Sequence, residues 1–171
     1  MPEFLYLPHE RFLDEVEALA RAVEADEWKP TFLIGIGRGG LVPAAFLSHR
    51  LGLPLLTVDH STGDPGFGEE LLEKLADKMR GGARLLIVDD INDSGRTINY
   101  LRAALEAKVA EPDPLRVAVL IHNVRSGARV EYHGSEIDRD EDKRWYVFPW
   151  EAVAPRASLL DDAAAVPERI A

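Results

Sequence analysis

The chain has 171 residues, 46% of them hydrophobic, which fits one globular domain with a single core. Its 20 basic and 30 acidic residues give a formal net charge of −10, so we expect no nucleic-acid partner and no membrane partner, since phosphate-rich surfaces attract basic proteins. There is no cysteine, which excludes disulfides and thiolate metal sites, and no apolar run reaches the ~18 residues that span a membrane. We therefore expect a cytoplasmic protein.

Helical and extended patterns alternate along most of the chain. Their order is helix 9–26, strand 31–36, helix 39–51, strand 53–58, helix 69–79, strand 84–88, helix 97–109 and strand 115–121. Residues 61–68 (STGDPGFG) are rich in turn formers and predict a mobile loop. This alternation predicts an α/β fold with a central parallel sheet flanked by helices.

The segment after Asn123 has shorter, β-like patterns and predicts a small β-rich lobe over the C-terminal edge of the sheet. We expect a single domain over 1–171, with a core of about 1–123 and a hood and tail of about 124–171. Residues 155–171 carry no motif that predicts a role.

Residues 85–97 (LLIVDDINDSGRT) form the most informative stretch of the chain. An apolar strand pattern leads into the acidic pair Asp89 and Asp90, and a small polar turn then precedes a helix. Such a turn directs backbone N–H groups and hydroxyls to one spot at a helix N-terminus, which suits a phosphate. Paired carboxylates beside it can accept hydrogen bonds from vicinal hydroxyls and help to hold a divalent cation. A sugar phosphate satisfies both halves.

A second loop, 35–40 (GIGRGG), also follows a predicted strand and precedes a helix. It satisfies the dinucleotide-binding pattern G-x-G-x-x-G, and Asp59 ends the next predicted strand at a suitable spacing. Arg38 would crowd the close approach of backbone to pyrophosphate, and the pattern leaves residues 89–97 unexplained. We therefore rank the dinucleotide hypothesis below one that explains both loops.

These segments resemble those of type I phosphoribosyltransferases. Residues 85–97 are similar to the signature for 5-phosphoribosyl diphosphate (PRPP), and 34–43 (IGIGRGGLVP) to the diphosphate-binding loop of bacterial and archaeal 6-oxopurine members. Residues 145–151 (WYVFPWE) resemble the base-binding segment of the same members. The similarity is greatest to xanthine-guanine and hypoxanthine-guanine phosphoribosyltransferases.

The resemblance implies transfer of phosphoribosyl from PRPP to guanine, xanthine or hypoxanthine in purine salvage, with release of diphosphate and with Mg²⁺ as cofactor. It implies that Asp93 is the general acid/base near the purine N7, and that Asp89 and Asp90 bind the ribose hydroxyls and the metal. The other roles it implies are 5′-phosphate binding by Asp93, Ser94, Gly95, Arg96 and Thr97, diphosphate binding by Gly37, Arg38 and Gly39, and purine binding by Trp145, Tyr146, Asn123 and Glu151.

One expected residue is missing. Family members usually place a lysine after the strand at 115–121 to read the purine 6-oxo group, whereas this chain has Ile121-His122-Asn123-Val124. Asn123 or His122 would have to donate instead, although neutral donors are weaker than an ammonium. The missing lysine keeps open a second hypothesis, a PRPP- or nucleotide-sensing regulatory protein of the same fold. We expect a homodimer, with a tetramer as the alternative.

Overall fold

The structure is a computed structural model that describes residues 2–58, 65–110 and 113–166. Its elements in chain order are β1 (Phe4–Tyr6), α1 (His9–Ala25), β2 (Phe32–Ile36), α2 (Gly37–Leu51), β3 (Leu55–Val58), α3 (Pro65–Arg80), β4 (Leu85–Asn92), α4 (Arg96–Glu106), β5 (Leu115–Asn123), β6 (Tyr132–Ile137), β7 (Trp145–Val147) and α5 (Arg156–Ala165). In the described segments, no helix combines the length and the apolar character needed to cross a membrane.

A parallel five-stranded sheet in the order β3-β2-β4-β5-β6 forms the centre of the molecule. Successive residues of each inner strand point to opposite faces of the sheet, and both faces are covered by helices. Leu86 and Val88 of β4 join a core that includes α1 and α2, whereas Leu85 and Ile87 join a core that includes α3 and α4. This double burial explains why β4 begins as an uninterrupted apolar run. The predicted fold class is confirmed.

The direction of winding reverses beside β2. The chain passes from β2 through α2 to β3 on one side, then returns through α3 to β4 on the other side. The loops that follow β2 and β4 therefore leave neighbouring strands at the same edge and diverge, which creates a crevice. This topology places the GIGRGG segment and the acidic segment of β4 next to each other.

The lobe after Asn123 differs from the expectation in its connections. Strand β6 joins the central sheet as its fifth strand, in parallel register with β5, with His122 opposite Glu136. A separate two-stranded sheet consists of β7 and the N-terminal β1, with Leu5 opposite Tyr146. Strand β1 was not predicted, because its three residues are too few to show a period.

Several predicted boundaries also differ. Strand β4 continues through Asp89 and Asp90 to Asn92, because pairing with β5 extends the strand beyond its apolar run. The predicted loop at 61–68 is helical from Pro65, and its first residues, 61–64, lie outside the described segments, as does Asp59. Helix α5 lies in the tail for which no motif was found.

Helix α2 begins with a close approach to β4 that excludes side chains. A Cβ on Gly40 would overlap the Val88 carbonyl oxygen, and a Cβ on Gly35 would lie 3.0 Å from Leu41 Cα. The glycines are therefore required because the backbone of one element rests on the backbone of another.

We expect Gly40→Ala to lower the free energy of unfolding by about 1–3 kcal/mol, because the new methyl group has no room against Val88. Urea denaturation measures this change. Gly68→Ala is the matched control: Gly68 is also helical, a Cβ there meets nothing within 4 Å, and helix propensity predicts a gain of about 1 kcal/mol at most. Equal effects of the two variants would contradict the packing argument.

Candidate active site

An open cavity of about 120 Å³ lies at the crevice where the sheet reverses its winding. Its floor is the end of β4 with the turn and first residues of α4, and its opposite wall comes from the segment after β6. The lining residues are Asp89, Asp90, Ile91, Asn92, Asp93, Ser94, Gly95, Arg96, Thr97, Ile98, Trp145, Phe148 and Glu151. The structure thus brings the acidic signature together with the aromatic segment.

The acidic pair at the end of β4 is half-buried. Asp89 Oδ1 accepts a hydrogen bond of 3.0 Å from the Asp90 amide, and Asp90 Oδ1 accepts one of 2.7 Å from the Ile91 amide. These bonds orient the two carboxylates along the strand end, at the edge of the cavity. An ionised carboxylate has about four lone-pair sites and can therefore serve several donors or a cation at once.

The N-terminus of α4 forms one side of the cavity. Gly95 adopts φ 78° immediately before the helix, and a Cβ there would lie 2.6 Å from Ala128 Cβ and 2.7 Å from Ser126 Oγ. The first helical bond runs from the Asn99 amide to the Gly95 carbonyl, at 2.9 Å. The amides of the first turn therefore have no carbonyl partner within α4, which is the arrangement that binds phosphate.

The glycine-rich turn after β2 lies against this site. Gly37 has φ 53°, which only glycine adopts easily, and a Cβ on Gly39 would overlap the Asp90 carboxylate. Arg38 is exposed and makes no hydrogen bond or ion pair with another described residue. Its guanidinium offers the planar donor geometry that suits phosphate oxygens. Neither Arg38 nor the glycines line the cavity itself; they flank it at Asp90.

Asp93 lies at the base of the cavity, and its carboxylate is buried in an ion pair. Only 4% of the residue is exposed, and both carboxylate oxygens accept hydrogen bonds from Arg139. The Arg139 Nη2 to Asp93 Oδ2 distance is 2.8 Å, and the Nε to Oδ1 distance is 3.1 Å. The predicted general acid/base is therefore paired with the Arg139 guanidinium. The sequence pattern did not predict this partner.

The aromatic wall is held by packing and by a turn. Phe148 stacks on Trp150 with ring centroids 4.9 Å apart, and Trp150 in turn meets the edge of Phe12. Glu151 caps the turn, since its Oε2 accepts a hydrogen bond of 3.0 Å from the Phe148 amide. These contacts fix Phe148 and Glu151 where they line the cavity beside Trp145.

Asn123 and Tyr146, two residues predicted to bind the purine (Tyr146 through its backbone), are absent from the cavity lining. The side chain of Asn123 is buried: its Nδ2 donates to the Asp93 carbonyl at 3.0 Å, and its Oδ1 accepts from the Arg125 and Arg139 amides. It is thereby committed to the backbone around Asp93, so the structure does not place it where a purine 6-oxo group could be read.

Tyr146 also turns its side chain away from the cavity. Its hydroxyl donates to Asp142 at 2.7 Å, and burial together with that bond raises the pKa of Tyr146. Arg144 binds the same carboxylate and lowers the pKa of Asp142. On β7, the Trp145 amide donates to the Glu3 carbonyl and the Val147 carbonyl accepts from the Leu7 amide. Because backbone groups alternate along a strand, those of Tyr146 point away from β1.

His122 is likewise engaged outside the cavity lining. Ser126 Oγ donates to Asn92 Oδ1, which directs the Asn92 amide nitrogen toward His122 Nδ1 at 3.0 Å. Nδ1 is then an acceptor, so the proton of the neutral ring is on Nε2. Burial of the ring is the main cause that lowers the pKa of His122, and the nearby His133 lowers it further.

The candidate metal ligands at the cavity are the carboxylates at the end of β4. Within the described segments, no group of three or more His, Cys, Asp or Glu side chains could hold a metal ion by itself. Asp89 and Asp90 nevertheless fit Mg²⁺, which usually takes one or two carboxylates and completes its shell with water and substrate phosphates.

Comparison with known proteins identifies the family. The family model described as phosphoribosyl transferase domain matches residues 6–154. A xanthine-guanine phosphoribosyltransferase from Idiomarina loihiensis is 30% identical over 139 residues, which covers 79% of this chain and 78% of that protein. The chain belongs to the phosphoribosyltransferase family.

Solved structures agree in fold. A purine phosphoribosyltransferase from Pyrococcus horikoshii is 26% identical, with a TM-score of 0.63 over 87% of this chain and 94% of that one. A protein from Neisseria gonorrhoeae with bound ppGpp is 22% identical, with a TM-score of 0.70 over 96% and 98% of the two chains. The family match favours the phosphoribosyltransferase hypothesis, which explained both loops, over the dinucleotide hypothesis.

The lowered pKa of His122 has a measurable consequence for stability. The unfolded imidazole binds a proton more readily than the folded one, so the free energy of unfolding falls as pH decreases below about 6.5. We expect His122→Gln to show a smaller loss of stability than the wild type between about pH 7 and pH 5, by urea denaturation. Exposed His49, changed to Gln, is the control. Identical pH dependence in the wild type and His122→Gln would contradict the assignment.

Proposed function

We propose that this chain transfers the 5-phosphoribosyl group from PRPP to a 6-oxopurine (guanine, xanthine or hypoxanthine) and releases diphosphate. The observation that supports this most is the single cavity in which the N-terminus of a helix, a carboxylate pair and Trp145 meet. Few small molecules need an anion site, hydroxyl acceptors and an aromatic face at such short range, and a nucleotide needs all three.

The ribose phosphate fits the floor of the cavity. The 5′-phosphate would accept hydrogen bonds from the amides and hydroxyls of residues 93–97 at the start of α4. Asp89 and Asp90 would accept hydrogen bonds from the ribose hydroxyls and would hold Mg²⁺. The metal would neutralise charge on the diphosphate. Gly37, Arg38 and Gly39 lie on the Asp90 side, where they would bind that leaving diphosphate.

The purine would stack on Trp145, with the Tyr146 backbone at its 2-position edge and Glu151 near the same end. Departure of diphosphate leaves positive charge on the anomeric carbon and ring oxygen, and neighbouring carboxylates stabilise such charge. Asp93 would accept or return the proton of the purine imidazole ring. Because the Asn123 side chain is engaged elsewhere, we assign it to positioning Asp93 rather than to the base.

The direct test is nucleotide formation from PRPP and Mg²⁺ with guanine, xanthine and hypoxanthine, and with adenine and orotate as control bases. We expect product from at least one 6-oxopurine and none from the controls. Trp145→Ala should raise the KM for the purine about 10- to 100-fold through lost stacking, and Trp145→Phe should raise it less. Product only from adenine or orotate, or no product at all, would contradict the proposal.

A second candidate is a nucleotide-sensing protein, which the similarity to the ppGpp-bound structure from Neisseria gonorrhoeae supports. The same helix N-terminus, glycine-rich turn and Trp145 could hold a guanosine nucleotide that carries diphosphate groups. The missing lysine after β5 is the feature of this chain that favours binding over turnover.

Calorimetric titration with ppGpp, PRPP and GMP separates the two candidates. For a sensor we expect ppGpp to bind more tightly than PRPP, to compete with it, and to do so in a chain that forms no nucleotide. Turnover in the assay with ppGpp binding weaker than PRPP binding would exclude the sensor.

A further inference from the structure

The ion pair between Asp93 and Arg139 is the most enclosed charge pair that the structure describes near the cavity. The two side chains are only 3% and 8% exposed, and the guanidinium contacts both carboxylate oxygens in a forked arrangement. Arg139 lies just after β6, 46 residues along the chain from its partner.

Stability alone does not explain such a pair. The cost of removing two charges from water offsets most of their attraction, so apolar replacements of a whole buried pair are often neutral. A buried pair in a site therefore calls for a role beyond holding the fold, and its contacts indicate which one.

Arg139 connects two parts of the cavity. Its Nη1 donates to the Asp142 carbonyl at 3.2 Å and to the Arg144 carbonyl at 2.7 Å, immediately before Trp145. Its guanidinium also lies 5.2 Å from the ring centroid of Tyr146. One side chain thus links the loop that carries Asp93 to the segment that carries the aromatic wall.

The pair still allows Asp93 to act on a substrate. A carboxylate has about four lone-pair sites, so an ion pair with a guanidinium does not by itself prevent it from accepting an N–H of a purine ring. The main chain of Asp93 is fixed by the bond from Asn123 Nδ2, so both the carbonyl and the carboxylate are held.

We propose that Arg139 is a positioning residue for the transfer reaction. It orients the Asp93 carboxylate and fixes its position relative to the segment that carries Trp145. This inference rests on the proposed function. It predicts that loss of Arg139 affects the purine half of the reaction much more than the phosphate half, because Arg139 binds the Asp93 carboxylate and makes no hydrogen bond with residues 94–97 or 37–39.

The experiment compares Arg139→Met and Arg139→Lys with Arg125→Met. Arg125 is the matched control, because its guanidinium also forms a forked ion pair, with Asp138, the residue before Arg139. Unlike Arg139, the Arg125 side chain is 57% exposed. We expect Arg139→Met to lower kcat about 100-fold and raise the KM for guanine, with the KM for PRPP changed by about threefold or less. Arg139→Lys, which keeps the charge without the fork, should be intermediate, and Arg125→Met should match the wild type.

A wild-type kcat in Arg139→Met would overturn the inference, as would a loss of PRPP affinity as large as the loss in kcat. If Arg139→Met does not fold, because Asp93 is left buried and unpaired, Arg139→Lys decides, and a wild-type kcat in that variant would overturn the inference. Absence of turnover in the wild type would instead overturn the proposed function, and the inference with it.

Discussion

The contact between the first turn of α2 and the end of β4 sets the geometry of the whole site. Gly40 rests on the Val88 carbonyl and Gly39 on the Asp90 carboxylate, and neither position has room for a side chain. Any larger residue would push the helix away from the strand and widen the crevice. Because the glycines allow this approach, the turn after β2 and the acids of β4 can contact one small molecule.

The charge distribution follows from the same arrangement. The chain carries a net charge of −10, yet the cavity has N–H donors at the start of α4 as well as its acids, and Arg38 precedes Gly39, the residue that packs on Asp90. Acids and donors occupy different sides of the cavity. A ligand with hydroxyls at one end and phosphates at the other meets complementary groups at both, whereas a plain polyanion would meet repulsion at Asp89 and Asp90. The global acidity is thus compatible with a small anionic substrate.

Local patterns predicted the parts of the molecule that depend on neighbours in sequence. The alternation of strands and helices, and the strand-turn-helix that carries residues 89–97, follow from periodicity and turn chemistry, and the structure has both. Asp93 illustrates the limit. Its partner Arg139 lies in a segment without regular period, and nothing in the sequence distinguishes that arginine from Arg125 or Arg144 nearby.

Asn123 shows the same limit in another form. The sequence placed it after β5, where a base-reading group is expected, and the strand does end there. Which way its amide points is decided by long-range partners, the Asp93 carbonyl and the Arg139 amide, so side-chain roles in the lobe could not be derived from spacing. Phe148, which lines the cavity, could have been suspected from its place beside Trp145 in the aromatic run.

The pairing of β1 with β7 has a consequence for how the site is assembled. The Trp145 amide bonds to Glu3 and the Leu7 amide to Val147, so the aromatic wall is joined to residues from the other end of the chain. Such non-local contacts carry a loop-closure cost that shorter-range contacts avoid, which favours the shorter-range contacts earlier in folding. The floor of the cavity, built from β4 and α4, depends on shorter-range contacts and on the central sheet. A folding intermediate with the sheet formed but β1 unpaired would hold a phosphate site without a finished aromatic wall, so affinity for phosphate would precede affinity for the base.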